Sequence, residues 1–539
     1  MAAFPDVLRA ESPPDVKAMP GGRDVPTLRH LGRAVILNVI LYLGLGAVVH
    51  PAFLVAAAAV WAVIVSDFVR RKDLALVVFV LVNLLLQNLL LALYSAAFAG
   101  LTGEAAWLAL FAGQPARILV LLLLEQKLLV VGLLAVRVVV EDAGSVVRSG
   151  KMDSVRPLIY LLLAWVVLEA AWAAGRGGLS LALVGGVRNY ASLLLSMLVF
   201  YWLGAQGRLP LEKLFPPGLV FWGIVILHGV SVAFYAVFFS SIEAWNRLLG
   251  VRYLYFYKTL FTQVFPAGET NARFFTDILG VWVSRPGGIL LEPVNYGYLL
   301  TFLLVLVVFY ALRTQSVRFY ALGAVTLVFA LANGGKAGLL VLAVIAATYL
   351  ALLAGRRAWR CIVRYYLVAV AGIVVVGFFL APMVSRTSRG HMQPIQAMIQ
   401  RVAESPALLL KGGFPGSAGN LSGNRAFRES AFWIALLELG LVWVVLYGWL
   451  VVKLGRRLAA VPSDVRLSLW LTGFAVVGLW SFFLFGFFQE NIFSLQTNVF
   501  ALGIPCYIVG FYGPRRVVGL ADGQDASRIE LTAFPPSTS

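Results

Sequence analysis

Long apolar runs separated by short polar breaks dominate the chain. Their length, about 20 residues, is that of a helix crossing a bilayer. We read fourteen such runs, at residues 34–49, 52–69, 74–99, 117–140, 156–174, 187–204, 218–240, 289–312, 318–333, 337–354, 362–384, 431–452, 466–488 and 493–512. The first two are short enough to form a tight hairpin. The fourth is irregular, because Glu125 and Lys127 stand near its middle. Residues two apart do not face each other on a continuous helix, so the pattern predicts partners for both on other spans.

Only two connections on one side of the predicted spans are long, 241–288 and 385–430. The pattern therefore predicts an all-α polytopic membrane protein with a single membrane domain over 34–513. Residues 1–33 and 514–539 are polar and read as disordered arms. The first of these has no apolar core that could serve as a cleavable signal.

Composition agrees with this reading: 61% of residues are apolar, 13% are charged, and the mean hydropathy is +0.88. The formal net charge of +18 would suggest nucleic acid in a soluble chain. Here the positive-inside rule explains it first, and no nucleic-acid partner is implied. With the N-terminus in the cytoplasm, most of the 43 basic residues fall on the inner side, as at Arg70–Lys72, Arg356–Arg360 and Arg456–Arg457. Both termini are then cytoplasmic. The short outer connections hold only Arg117, Arg176, Arg188 and Lys336, so the two long outer loops carry the remaining cations apart from Lys127. Two cysteines, Cys361 and Cys506, cannot build a disulfide framework.

No Walker loop, HExxH, CxxC or GxSxG with partners is present, and four scattered histidines make no metal site. No metal or cofactor is expected. Four outer-side constellations could carry chemistry. In SRPGGILLEPVNYGYLL, residues 284–300, Arg285 precedes a Pro-Gly-Gly turn, and Glu292, Pro293, Asn295 and Tyr296 open a span. A helix N-terminus with a guanidinium favours anions, phosphate above all. The plainer reading is a helix cap with interfacial aromatics. ANGGKAGLL, residues 332–340, places Lys336 in an apolar hairpin, as a ligand or as a snorkelling lysine. GGVRNYASLL, residues 185–194, places Arg188 at the start of a span, as a ligand or an interfacial anchor.

The fourth constellation runs from Lys411 to Val445. A glycine-rich cationic stretch leads into a span, with Arg425, Arg428 and Glu429 at the boundary and Glu438-Leu-Gly440 deeper. A helix starting near Asn424 would put the three boundary residues at i, i+3 and i+4, on one face. Facing lipid they would be costly, so they are expected to line a polar site. Nearby cations would lower the pKa of Glu429 and burial would raise it.

Taken in order, these segments resemble the O-antigen polymerase and O-antigen ligase superfamily of bacterial envelope glycosyltransferases. The resemblance rests on Arg188, on Arg285 to Gly288 with Pro293 and Asn295, on Gly334 to Lys336, and on Gly412 to Gly440, and it covers roughly residues 156–510. It implies a GT-C-like, metal-independent enzyme of the inner membrane with its site facing the periplasm. The implied substrate is an undecaprenyl-diphosphate-linked oligosaccharide and the acceptor a growing polysaccharide, with a chain-length regulator and a flippase as partners. Arg425 and Arg428, with Glu429 as base or acceptor-orienting group, would be catalytic. Arg188, Arg285, Asn295 and Lys336 would bind the diphosphate or sugar. Two departures bear on the activity: Lys336 stands where the family often has arginine, and Glu429-Ser430 where ligases typically place histidine. The second favours a polymerase over a ligase. A flippase for the same lipid-linked sugars is the non-enzymatic alternative.

Overall fold

The computed structural model describes residues 28–149, 155–206, 215–258, 274–278, 281–285, 287–333, 396–397, 399–418, 431–459 and 495–512. The described chain is nearly all helical. It opens with α1 (Leu28–Leu43), extended by a 3-10 turn at Gly44–Val48, followed by α2 (Ala52–Val69) and α3 (Asp73–Thr102). Two short helices, α4 (Glu104–Ala109) and α5 (Gln114–Leu124), lead into α6 (Gln126–Ser149). Then come α7 (Arg156–Gly177), α8 (Leu181–Ala205), α9 (Pro217–Ser240), α10 (Ile242–Leu249) and α11 (Val251–Lys258). A hairpin of β1 (Phe275–Ile278) and β2 (Val281–Ser284) pairs antiparallel, with Phe275 opposite Ser284. It is followed by α12 (Pro293–Thr314), α13 (Val317–Ala332), α14 (Ala407–Lys411) and α15 (Ala431–Ala459). The last described stretch is α16 (Leu495–Asn498), a π-helical turn at Val499–Gly503 and α17 (Ile504–Tyr512).

Eight of the described helices are long and apolar enough to cross a membrane, or nine if the bent pair Glu104–Ala112 and Pro115–Leu124 is one span. They match eight of the fourteen expected runs. The expected spans 337–354, 362–384 and 466–488 lie outside the described residues. The run 318–333 forms α13, which at 16 residues is shorter than the other crossings. The run 117–140 is not a continuous helix. It breaks at Glu125 (φ −96°, ψ 20°), and the pieces before it are bent by 100°.

Helix limits follow local chemistry. Pro157, Pro217 and Pro293 sit in the first turn of their helices, where a missing N–H costs nothing. Between α7 and α8 the chain turns at Gly178, and the Ser180 side chain accepts from the Leu183 N–H at 3.1 Å, a serine N-cap. Within the apolar bundle a few polar pairs fix neighbours. Asn83 on α3 donates to Asn38 on α1 at 2.5 Å, and both are fully buried. In hydrocarbon such a pair is a directional contact worth about 1 kcal/mol.

One end of the bundle is ringed by ion pairs. Arg33 and Lys72 share Asp67, at 2.5 and 3.6 Å. Arg137 pairs with Asp73 and Arg156 with Asp142. Trp202 and Gln206 donate to Glu141 at 3.0 and 3.3 Å, and Arg457 donates to the Tyr201 hydroxyl. The belt thus joins the start of α1, the end of α2, the start of α3, the latter half of α6, the start of α7 and the ends of α8 and α15.

At the other end, part of the long connection 241–288 folds over the bundle. Trp107 on α4 packs edge-on against Phe111 and Tyr253, with centroids 4.8 and 5.2 Å away. Arg252 pairs with Glu104 at 2.5 Å, so this loop cation has a partner within the fold. Ser95 and Tyr257 share a hydrogen bond of 2.8 Å, and burial pushes the Tyr257 phenol well above its ordinary pKa.

Candidate functional site

The break between α5 and α6 gathers three charged side chains inside the bundle, away from the ion-pair belt. Glu125 accepts from Arg188 Nη1 on α8 at 3.2 Å and lies 3.5 Å from Lys127 Nζ. Lys127 is 4% exposed, and its ammonium also donates to the Leu124 carbonyl at 3.1 Å. Arg188 therefore supplies the expected partner from another span. The expectation that Glu125 and Lys127 could not meet is corrected, because the rule for residues two apart holds only within a continuous helix. Here the helix ends at Leu124 and restarts at Gln126. Gln126 itself is 1% exposed, and both its amide atoms are buried without a hydrogen-bond partner. Each such atom costs about 1–3 kcal/mol.

Arg188 is followed by Asn189, whose Oδ1 accepts from Arg188 Nε and Nη2 at 3.3 and 3.0 Å. Tyr190, two residues on and so turned to another side of α8, donates to Glu438 Oε2 at 2.8 Å. The other oxygen, Glu438 Oε1, accepts from the Ala418 N–H at 3.0 Å. Glu438 is 2% exposed and lies in α15 just before Gly440, where the helix bends through a left-handed conformation (φ 79°, ψ 172°).

The glycine-rich segment 412–418 is a strap held between α8 and α15. Gly413 N–H donates to the Leu437 carbonyl at 2.7 Å. Gly186 on α8 lies so close to Gly416 that a Cβ there would land on the Gly416 backbone.

The segment carrying Arg285 reaches the same region. Asn88 on α3 donates to the Leu290 carbonyl at 2.7 Å, and its neighbour Gln87 donates to the Leu124 carbonyl at 3.3 Å. Consecutive residues of α3 therefore pin the turn before α12 and the break before α6. The Arg285 N–H closes the hairpin on the Phe274 carbonyl at 2.7 Å. Glu292 is the N-cap residue of α12, one position outside the first turn where the sequence placed it. Asn295 donates to Glu292 Oε2 at 2.8 Å, so an internal carboxylate already stands at this helix N-terminus. The buried Tyr296 hydroxyl donates to Ser231 Oγ at 2.8 Å. Asn333, the last described residue before the hairpin of Lys336, lies against Gly297 of α12, 2.9 Å from where a Cβ would stand.

Depth follows from helix geometry. Gln87 lies about 21 Å along α3 from Asp73, and Arg188 about 21 Å along α8 from Trp202, at ~1.5 Å per residue. That distance is some two-thirds of the thickness of a hydrocarbon core of about 30 Å.

Of the residues expected to act, Arg188, Arg285 and Asn295 are thus placed at this end of the bundle. Arg425, Arg428, Glu429 and Lys336 lie outside the described residues. Glu125 and Lys127, two charges in an apolar run, were expected to have structural partners on other spans, and Arg188 is such a partner for Glu125. Glu438 stands in the sequence only as part of the Glu438-Leu-Gly440 motif. His228 is structural: its Nε2 meets Thr326 Oγ1 at 2.9 Å and its ring stacks on Phe329 at 4.4 Å. Among the described residues no group of three or more metal-binding side chains occurs. Comparison with family models, with curated proteins and with solved structures finds no match to the chain.

Proposed function

We propose that the chain is a membrane glycosyltransferase that joins undecaprenyl-diphosphate-linked oligosaccharide repeat units into an O-antigen, capsule or exopolysaccharide at the outer face of the inner membrane. The observation that carries this reading is Arg188, held with Lys127 and Glu125 deep in an apolar bundle, beside the turn that follows Arg285. Intramembrane charges are costly and mark sites where a charged group is handled. In the transfer step the diphosphate leaves with growing negative charge, which fixed guanidinium and ammonium groups stabilise without reorganising. Arg425 and Arg428, at the far end of the segment that begins with the strap, would complete the clamp. Glu429 would orient or deprotonate the acceptor hydroxyl.

The test is polymer length in cells carrying Arg285→Ala or Arg428→Ala at normal protein levels. Shortened or absent polymer is expected, and wild-type length in both removes the clamp. A second reading, a flippase for the same lipid-linked sugars, is favoured by the interrupted helix at Glu125, since discontinuous helices with buried charges serve transporters. Purified protein reconstituted with a lipid-linked repeat unit alone separates the readings. Elongation identifies a polymerase, movement across the bilayer without bond formation a flippase, and transfer only to an added acceptor a ligase.

A further inference from the structure

The cluster at the break holds two cations against one carboxylate. Arg188 spends Nη1 on Glu125 and Nε and Nη2 on Asn189, and its other guanidinium N–H groups meet no acceptor among the described residues. Lys127 faces Glu125 Oε2 and the Leu124 carbonyl. Among the described residues, no second carboxylate pairs with either cation. Counted over the described residues, the cluster therefore carries one net positive charge, where hydrocarbon leaves it poorly solvated. The lysine side chain is 5% exposed and that of Arg188 30%, so an incoming group meets the guanidinium first. Glu125 divides its oxygens, Oε1 to Arg188 and Oε2 to Lys127, the two-point contact that a pair of phosphate oxygens also makes. Its neighbour Gln126 adds a buried amide with no partner.

We infer that Arg188 and Lys127 form a binding site for a phosphate-bearing anion, in which Glu125 is an internal counter-ion that the ligand displaces. With Glu125 moved aside, the two cations match a dianion such as the end of a diphosphate. The inference deepens the proposed function and rests on it only for the identity of the anion. Glu125 competes with the ligand, so removing its charge strengthens binding, the reverse of what loss of a supporting residue does.

The experiment titrates the full-length protein, in phosphatidylcholine nanodiscs, with farnesyl diphosphate and with inorganic pyrophosphate. Glu125→Gln is expected to bind farnesyl diphosphate about tenfold tighter than wild type, and Arg188→Ala and Lys127→Met about tenfold weaker. Competition by pyrophosphate assigns recognition to the phosphates. Competition by added phosphatidylglycerol assigns the site to a phospholipid headgroup instead of a diphosphate, and still supports the cluster. Glu125→Asp, which draws the carboxylate back, gives the same readout if the glutamine variant does not fold. Binding by Glu125→Gln no tighter than wild type, or undiminished binding by Arg188→Ala, overturns the inference. Because no sugar is transferred, failure of the glycosyltransferase reading leaves this outcome separately legible.

Discussion

Glu438 accepts a hydrogen bond on each carboxylate oxygen, from Tyr190 on α8 and from the backbone of Ala418 in the strap. Truncation to alanine would take this acceptor from both donors and leave the buried Ala418 N–H without it, at about 1–3 kcal/mol. Glutamine keeps an acceptor for the Ala418 N–H, and its amide can donate to the Tyr190 oxygen, which accepts as well as donates. Glu438→Ala is therefore expected to lose several degrees in thermal unfolding in detergent, and Glu438→Gln much less. Equal stability of the two would remove the clasp. The sequence pattern pointed to Glu429 as the base or acceptor-orienting carboxylate and left Glu438 without a role. Spacing on a helix shows which residues share a face. It does not show which carboxylate a distant segment closes over, and here the Ala418 donor comes from 20 positions away.

At the scale of elements, the strap depends on three backbones meeting without side chains between them. Gly416 and Gly440 both adopt positive φ, 87° and 79°, which disfavours any Cβ. A Cβ on Gly440 would also lie 2.6 Å from the Leu410 carbonyl oxygen. Gly132, inside α6 with nothing within 4 Å of where a methyl group would stand, is the control. Gly416→Ala and Gly440→Ala are expected to lower folded yield and unfolding temperature, while Gly132→Ala is neutral or stabilises by up to about 1 kcal/mol. Unfolding temperatures of the three purified variants check this, and equal values would mean that the strap is not clamped. Helices such as α2 and α15 were legible because a long apolar run bounded by basic or glycine residues has one low-energy form in a bilayer. The break at Glu125 was not legible. Its charges were visible, but a helix interruption is stabilised by Arg188 and Gln87 from other helices, and no local pattern encodes them.

At the scale of the whole molecule, the ion-pair belt decides how often the chain crosses between α3 and α7. Asp73 opens α3 and pairs with Arg137 of α6, while Asp142, further along α6, pairs with Arg156 at the start of α7. Both ends of the stretch 73–156 therefore lie at the belt. If the bent pair 104–124 were a full crossing, α6 would have to cross again and carry Arg137 away from Asp73. Instead α3 runs outward from the belt, the bent pair turns back within the far half, and α6 completes the return. The register agrees: Gln87 meets Leu124 and Asp73 meets Arg137, so similar lengths of the two helices separate the contacts. The basic residues concentrated at the belt are the ground for expecting it on the cytoplasmic side under the positive-inside rule. Alkaline phosphatase fused after Gly103 or Gly178 is accordingly expected to be active in the periplasm, and inactive when fused after Lys72 or Ser149. Activity after Ser149 would make the bent pair a span of its own. It would place the Glu125 cluster on a different path through the membrane and remove the basis for a substrate site reached from the periplasm.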